Sequence, residues 1–101
     1  VSAVEEAHDV WCRMNAHVQV LERSERLLVV RWVEPGRAHF GEQHWKPGRA
    51  RHPGVCVLSG VQIAYGDEVF RPSGRPTPPN ARAMILAVAL DGADRARGSG
   101  A

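Results

Sequence analysis

Long apolar runs are missing from this sequence. The run Met84–Leu90 is too short to cross a bilayer. The acidic start lacks the apolar segment of a secretory leader. The expectation is a cytoplasmic protein with no membrane partner. Cysteine is scarce: Cys12 and Cys56 lie far apart, outside any C-x-x-C arrangement, among apolar neighbours. They read as buried free thiols. No nucleophile elbow, phosphate-binding glycine loop or zinc ribbon is present, and neither Ser24 nor Ser59 has an adjacent base. A net charge of +2 is too small by itself to point to nucleic acid.

What is present suits a globular fold. A length of 101 residues fits one domain, and 44% hydrophobic with 24% charged residues is an ordinary composition. The charge is unevenly spread. Residues 1–35 hold six acids and four arginines, whereas residues 36–82 hold seven bases against three acids. The basic middle is either a solvated loop face or a surface for an anionic ligand.

Residues 2–15 read as a helix. Ser2 and Glu5 make a capping box, and Val4, Ala7, Trp11 and Met14 recur at helical spacing. A hairpin follows: a strand over Val18–Leu21, a turn over residues 23–26, and a strand over Leu27–Val33. Both faces of the second strand are largely apolar, which places it centrally or in a barrel wall. Pro35-Gly36, Pro47-Gly48 and Pro53-Gly54 each predict a turn. Further strands are expected over 38–45, Val55–Ser59, Val61–Tyr65 and Glu68–Arg71, with a bulge or kink at Gly60. Residues 72–80, with four prolines and a glycine, form a stiff loop. Alternation in Ala81–Leu90 favours a last strand over a helix, and residues 91–101 read as a mobile tail. The expected fold is mainly β, of the α+β class. A helix precedes a small antiparallel β-barrel or strongly curved sheet in one domain over residues 1–90.

Three histidines and a carboxylate lie close in sequence. Glu42 and His44 share a face if residues 38–45 are a strand, and with His52 and His39 nearby they form a candidate site for a divalent transition metal. Surface histidines on a hairpin are the plainer alternative. His8 and Cys12 stand at i and i+4 on the predicted helix, as a packing pair or as ligands. His17 reads as an ordinary strand residue. Phe40, Trp45 and Tyr65 interleave with arginines, a pattern that serves base stacking or a core.

From Pro35 onward the order of features resembles the cupin superfamily. Gly36 is followed after five residues by Glu42-Gln43-His44, where cupins place His-x-His. Val57-Leu58-Ser59-Gly60 resembles the end of the first cupin motif. The stretch from Gly66 to Thr77 resembles the second, with Thr77 at the histidine position and Asn80 one residue early. Pro53 occupies the usual glutamate position, and the short gap between Gly60 and Gly66 omits a hairpin. Arg26–Gly41 followed by Ser59–Ile63 also resembles the sheet of SnoaL-like polyketide cyclases in the nuclear-transport-factor-like superfamily. That fold has several helices before its sheet, whereas here only the expected helix over residues 2–15 precedes the strands.

Both resemblances imply a curved sheet around a pocket. The leading functional expectation is therefore a small-molecule-binding domain. Its pocket would be lined by Val29, Val57, Ile63, Trp32 and Trp45, with His44 and Glu42 orienting the ligand. A degenerate metal site at Glu42, His44 and His52 is the enzymatic variant. The alternative is an interaction module, either homo-oligomeric or binding nucleic acid through Arg37, Arg49, Arg51, Arg71, Arg75 and Arg82 on one rim. The apolar segment Ala81–Leu90 further suggests a homodimer that buries Met84, Ile85 or Leu86 with part of the helix.

Overall fold

The computed structural model describes residues 9–12 and 15–91, the side chains of 9–11 excepted. Eight strands follow in order: β1 (Asp9–Trp11), β2 (His17–Arg23), β3 (Leu28–Glu34), β4 (Ala38–Arg49), β5 (Gly54–Val55), β6 (Gln62–Ile63), β7 (Glu68–Pro72) and β8 (Ile85–Leu86). One helical turn, α1 (residues 87–91), follows β8. Six strands form an antiparallel sheet in the order β1-β2-β3-β4-β7-β8. β5 and β6 make a separate hairpin. The sheet curls into a half-barrel and does not close. Of the two expected forms, the strongly curved sheet is the one observed.

The curl has a local cause. The register slips between Val20 and Glu22 opposite β3, which leaves Leu21 as an extra residue in β2. It slips again between Val30 and Trp32, which leaves Gly41 and Glu42 opposite Arg31. Each bulge bends its strand and increases the right-handed twist. β3 lies between the two bulged strands and carries no extra residue itself. Leu28, Val30 and Trp32 are fully buried on its inner face, while Arg31 is exposed on the outer one.

The tight turns follow their local chemistry. Pro35 and Gly36 occupy the central positions of a turn closed by Arg37 N–H donating to Glu34 O at 2.9 Å. Gly36 has φ 78°, which glycine adopts without cost. Between β2 and β3, Ser24 N–H donates to Leu27 O at 2.8 Å.

Several expectations need correction. Residues 9–11 of the expected helix 2–15 form β1, paired with β2. Cys12 N–H donates to Ala16 O, and Asn15 adopts φ 58°, so the chain reverses here. Pairing along the free edge of β2 overrides the helical spacing. Residues 1–8, 13 and 14, including the capping box and His8, lie outside the described residues. Pro47-Gly48 is not a turn but part of the twelve-residue β4. β3 ends its pairing at Trp45, and β7 takes over on the opposite edge from there. The even residues His44 and Ala50 bond toward β7 and its flanking segments. By alternation the missing N–H of Pro47 falls on the unpaired edge, where proline breaks no ladder.

The strands expected over Val55–Ser59 and Val61–Tyr65 shrink to β5 and β6. The chain between them turns at residues 57–60, with Gly60 at φ 77°. Gly54 belongs to β5 instead of a turn, and a Cβ there would meet Met84 Cε at 2.8 Å. Residues 81–90 divide into a turn, the two-residue β8 and most of α1. Asp91 closes α1 and pairs with Arg23, so the expected tail begins no earlier than residue 92.

One buried cluster runs from Ala16 to Leu90. Trp32 and Trp45 are its largest members, with ring centroids 6.1 Å apart and planes tilted by 40°. Each removes about 200 Å² from water, about 5 kcal/mol at ~25 cal/mol per Å². Their indole N–H groups are satisfied locally. Trp32 Nε1 donates to Glu34 Oε1 at 2.8 Å, and Trp45 Nε1 donates to Gln43 Oε1 at 2.9 Å. Gln43 and the fully buried Asn80 exchange two further bonds of 2.9 Å, which tie the proline-rich loop to β4. Met84, Ile85 and Leu86 are buried within a single chain. The apolar face that motivated the homodimer is therefore already covered.

Candidate functional site

The residues expected to line a pocket fill the core instead. Trp32, Trp45 and Ile63 are fully buried, and Val57 is nearly so. None of them borders either of the two open clefts described below. Val29 is buried on the opposite face of β3, in register between Glu22 and His44. The physical reason is tryptophan volume: the two indoles and their satisfied N–H groups occupy the interior of the half-barrel.

The expected metal ligands are not gathered. Glu42 and His44 are exposed on β4, and Glu42 sits in the bulge. His52 is half-buried, with Nδ1 3.0 Å from its neighbour Pro53 O. Among the described residues no group of three or more His, Cys, Asp or Glu side chains is placed to hold a metal ion. Cys12 and Cys56 are free thiols, half-buried and buried. Cys56 Sγ accepts N–H bonds from Ser59 at 3.4 Å and Leu86 at 3.3 Å, so it staples the β5–β6 hairpin to β8. The cupin-like positions have other roles: Asn80 is structural, and Thr77 is exposed.

The arginines expected on one rim divide. Arg37 sits before β4 and turns toward Glu34, with Nε 3.7 Å from Oε2. Arg49 and Arg51 lie at the other end of that strand. Around this second end a basic surface assembles. Lys46 and Arg71 are direct partners across the β4–β7 ladder, so their side chains leave the same face. Neither has a carboxylate partner among the described residues. Arg71 lies over Gly48, where a Cβ would stand 3.2 Å from its Nη2 and 3.7 Å from its Nε. Gly48 thus provides the seat for the guanidinium. Two like charges directly opposite cost on the order of several tenths of a kcal/mol. Lys46 was absent from the expected rim. Its charge was visible in the sequence, but its alignment with Arg71 depends on a pairing 25 residues apart.

Two clefts adjoin this ladder. One, of about 550 Å³, is bounded by Arg23, Ser24, Glu25, the unpaired edge Pro47–Arg49, Phe70 and Ala87. The other, of about 440 Å³, is bounded by Val61, Gln62, Asp67, Leu86 and Val88. Arg49 and Glu68, paired at 3.9 Å, belong to both. The three aromatics noted among arginines part company: Trp45 is core, Phe40 is half-buried, and Tyr65 is 75% exposed.

The chain belongs to the family described as domain of unknown function DUF3331, whose profile matches residues 4–92, most of its length. No curated protein and no solved structure matches the chain. No helix among the described residues is long and apolar enough to cross a membrane.

Proposed function

We propose that this domain is an interaction module that binds nucleic acid through the basic outer face of the β4–β7 ladder. The observation that carries this reading is the uncompensated pair Lys46–Arg71, with Arg71 seated on Gly48. A phosphate between the two cations relieves their repulsion and gains charge-assisted bonds. Arg51, Arg75 and Arg82 are also exposed and have no ion-pair partner among the described residues. They enlarge the positive field that steers a polyanion.

Anisotropy titration of labelled oligonucleotides across a salt series tests the proposal. Binding is expected at low salt, with log K falling by about 0.7–0.9 per decade of salt for each phosphate neutralised. Lys46→Glu and Arg71→Glu each weaken binding and lower that slope by about one. No rise in anisotropy with any oligonucleotide at low salt rejects the proposal.

A second reading keeps the small-molecule ligand and moves it to the cleft of about 550 Å³ beside Arg23 and Pro47. That volume suits a small metabolite, and the free main-chain edge of Pro47–Arg49 offers it hydrogen bonds. Thermal stabilisation by one compound of a metabolite panel, abolished by Glu25→Trp, distinguishes it from the first.

A further inference from the structure

Tyr65 stands out among the aromatic side chains. It is 75% exposed, and its hydroxyl has no partner among the described residues. Yet the backbone that carries it is closely held. Asp67 Oδ2 accepts Ala64 N–H at 2.8 Å, and Asp67 N–H donates to Ala64 O at 3.1 Å. Gly66, at φ 91°, donates its N–H to Ala50 O at 2.8 Å, and Ala50 returns a bond to Asp67 O at 2.9 Å. Arg49 Nη1 donates to Gly66 O at 3.2 Å. The tip therefore presents a ring on a fixed support, next to the Arg49–Ala50–Arg51 segment and continuous with the β4–β7 ladder.

We infer that Tyr65 is a stacking platform for an unpaired base, and that the domain's partner is single-stranded nucleic acid. The inference rests on the proposed nucleic-acid reading and specifies it. Lys46 and Ala50 are four residue steps apart, about 13 Å at ~3.3 Å per residue. A segment of a few nucleotides spans that distance. Its phosphates meet Lys46 and Arg71, and one base lies on the Tyr65 ring, beside the segment that carries Arg51. A duplex keeps its bases stacked internally and offers no free face to the ring. Selectivity for single strands thus follows from the exposed aromatic, whereas general affinity follows from the cations. DNA and RNA share the chemistry of phosphodiester and unpaired base.

The test uses Tyr65→Ala, Tyr65→Phe and Tyr65→Trp in the full chain. Probes are homopolymeric dU, homopolymeric U and a duplex of the same length. Tyr65→Ala is expected to weaken both single strands roughly ten-fold and to leave the duplex unchanged. Tyr65→Phe is expected to match the parent, and Tyr65→Trp to bind as tightly or more tightly. If one homopolymer alone loses affinity, stacking stands and the sugar of the partner is assigned. Equal binding by Tyr65→Ala and the parent overturns stacking, while a loss in Lys46→Glu would still uphold the basic face. An equal loss on duplex and single strands also overturns stacking. No binding by the parent to any probe overturns both. An unchanged urea midpoint for Tyr65→Ala, expected at this exposure, shows that the variant is folded.

Discussion

Asn80→Ala removes one half of a buried amide pair. In the parent, Gln43 Nε2 donates to Asn80 Oδ1 and Asn80 Nδ2 donates to Gln43 Oε1, both at 2.9 Å. Two net hydrogen bonds at about 1 kcal/mol each are lost. Gln43 Nε2 is left without an acceptor in a nearly sealed site, which adds about 1 kcal/mol more. The expected loss is about 3 kcal/mol, a large share of the roughly 5–15 kcal/mol that stabilises a chain of this size. Tm is expected to fall by roughly 10–20 °C. Gln43→Leu strands the Asn80 amide and the Trp45 indole N–H, with a similar loss. The double variant, Gln43→Leu with Asn80→Ala, strands only that indole N–H. It is therefore expected to cost less than the sum of the singles by about 2 kcal/mol. Urea unfolding followed by tryptophan fluorescence reads all of these, since Trp32 and Trp45 are fully buried. A loss below about 1 kcal/mol for Asn80→Ala, or strictly additive singles, would refute the assignment of this pair as the tie between loop and sheet.

Three other outcomes are expected. Lys46→Glu turns a like-charge pair into an opposite one, so it is expected to raise stability by about 0.5 kcal/mol while weakening nucleic-acid binding; destabilisation in urea would contradict the Lys46–Arg71 alignment. Gly54→Ala forces a Cβ against the buried Met84 side chain and is expected to cost about 1–3 kcal/mol, partly recovered in a background of Met84→Leu, which removes the Cε atom. Cys56→Ala deprives the Ser59 and Leu86 N–H groups of their acceptor and opens a small void, for an expected loss of about 2 kcal/mol; equilibrium unfolding at the parent's midpoint would show that the sulfur does not staple the hairpin.

The two bulges are only partly legible in the sequence. Leu21 and the Gly41–Glu42 pair each add a residue that shifts the period beyond it; Gly41 marks the second bulge in the sequence, and nothing local marks the first. β4 continues through Pro47-Gly48 because it exchanges β3 for β7 near Trp45, a change of partner that no window of sequence records. Trp32, Trp45, Val57 and Ile63 sit in the core for a related reason. Aliphatic and tryptophan side chains at alternating positions describe a lined cavity and a packed core equally well, and only the facing indoles decide between them.

By itself the sequence determined what depends on neighbouring residues. Alternation in Leu27–Val33 fixes which side chains of β3 share a face, because successive side chains leave opposite faces of a strand. Pro35 and Gly36 specify their turn through their own allowed φ angles. Only the tertiary structure decided what joins distant segments: Asn80 against Gln43, Lys46 opposite Arg71, and residues 9–11 along β2. These depend on strand register and on long loops closing, so their energies appear only once the whole sheet has formed.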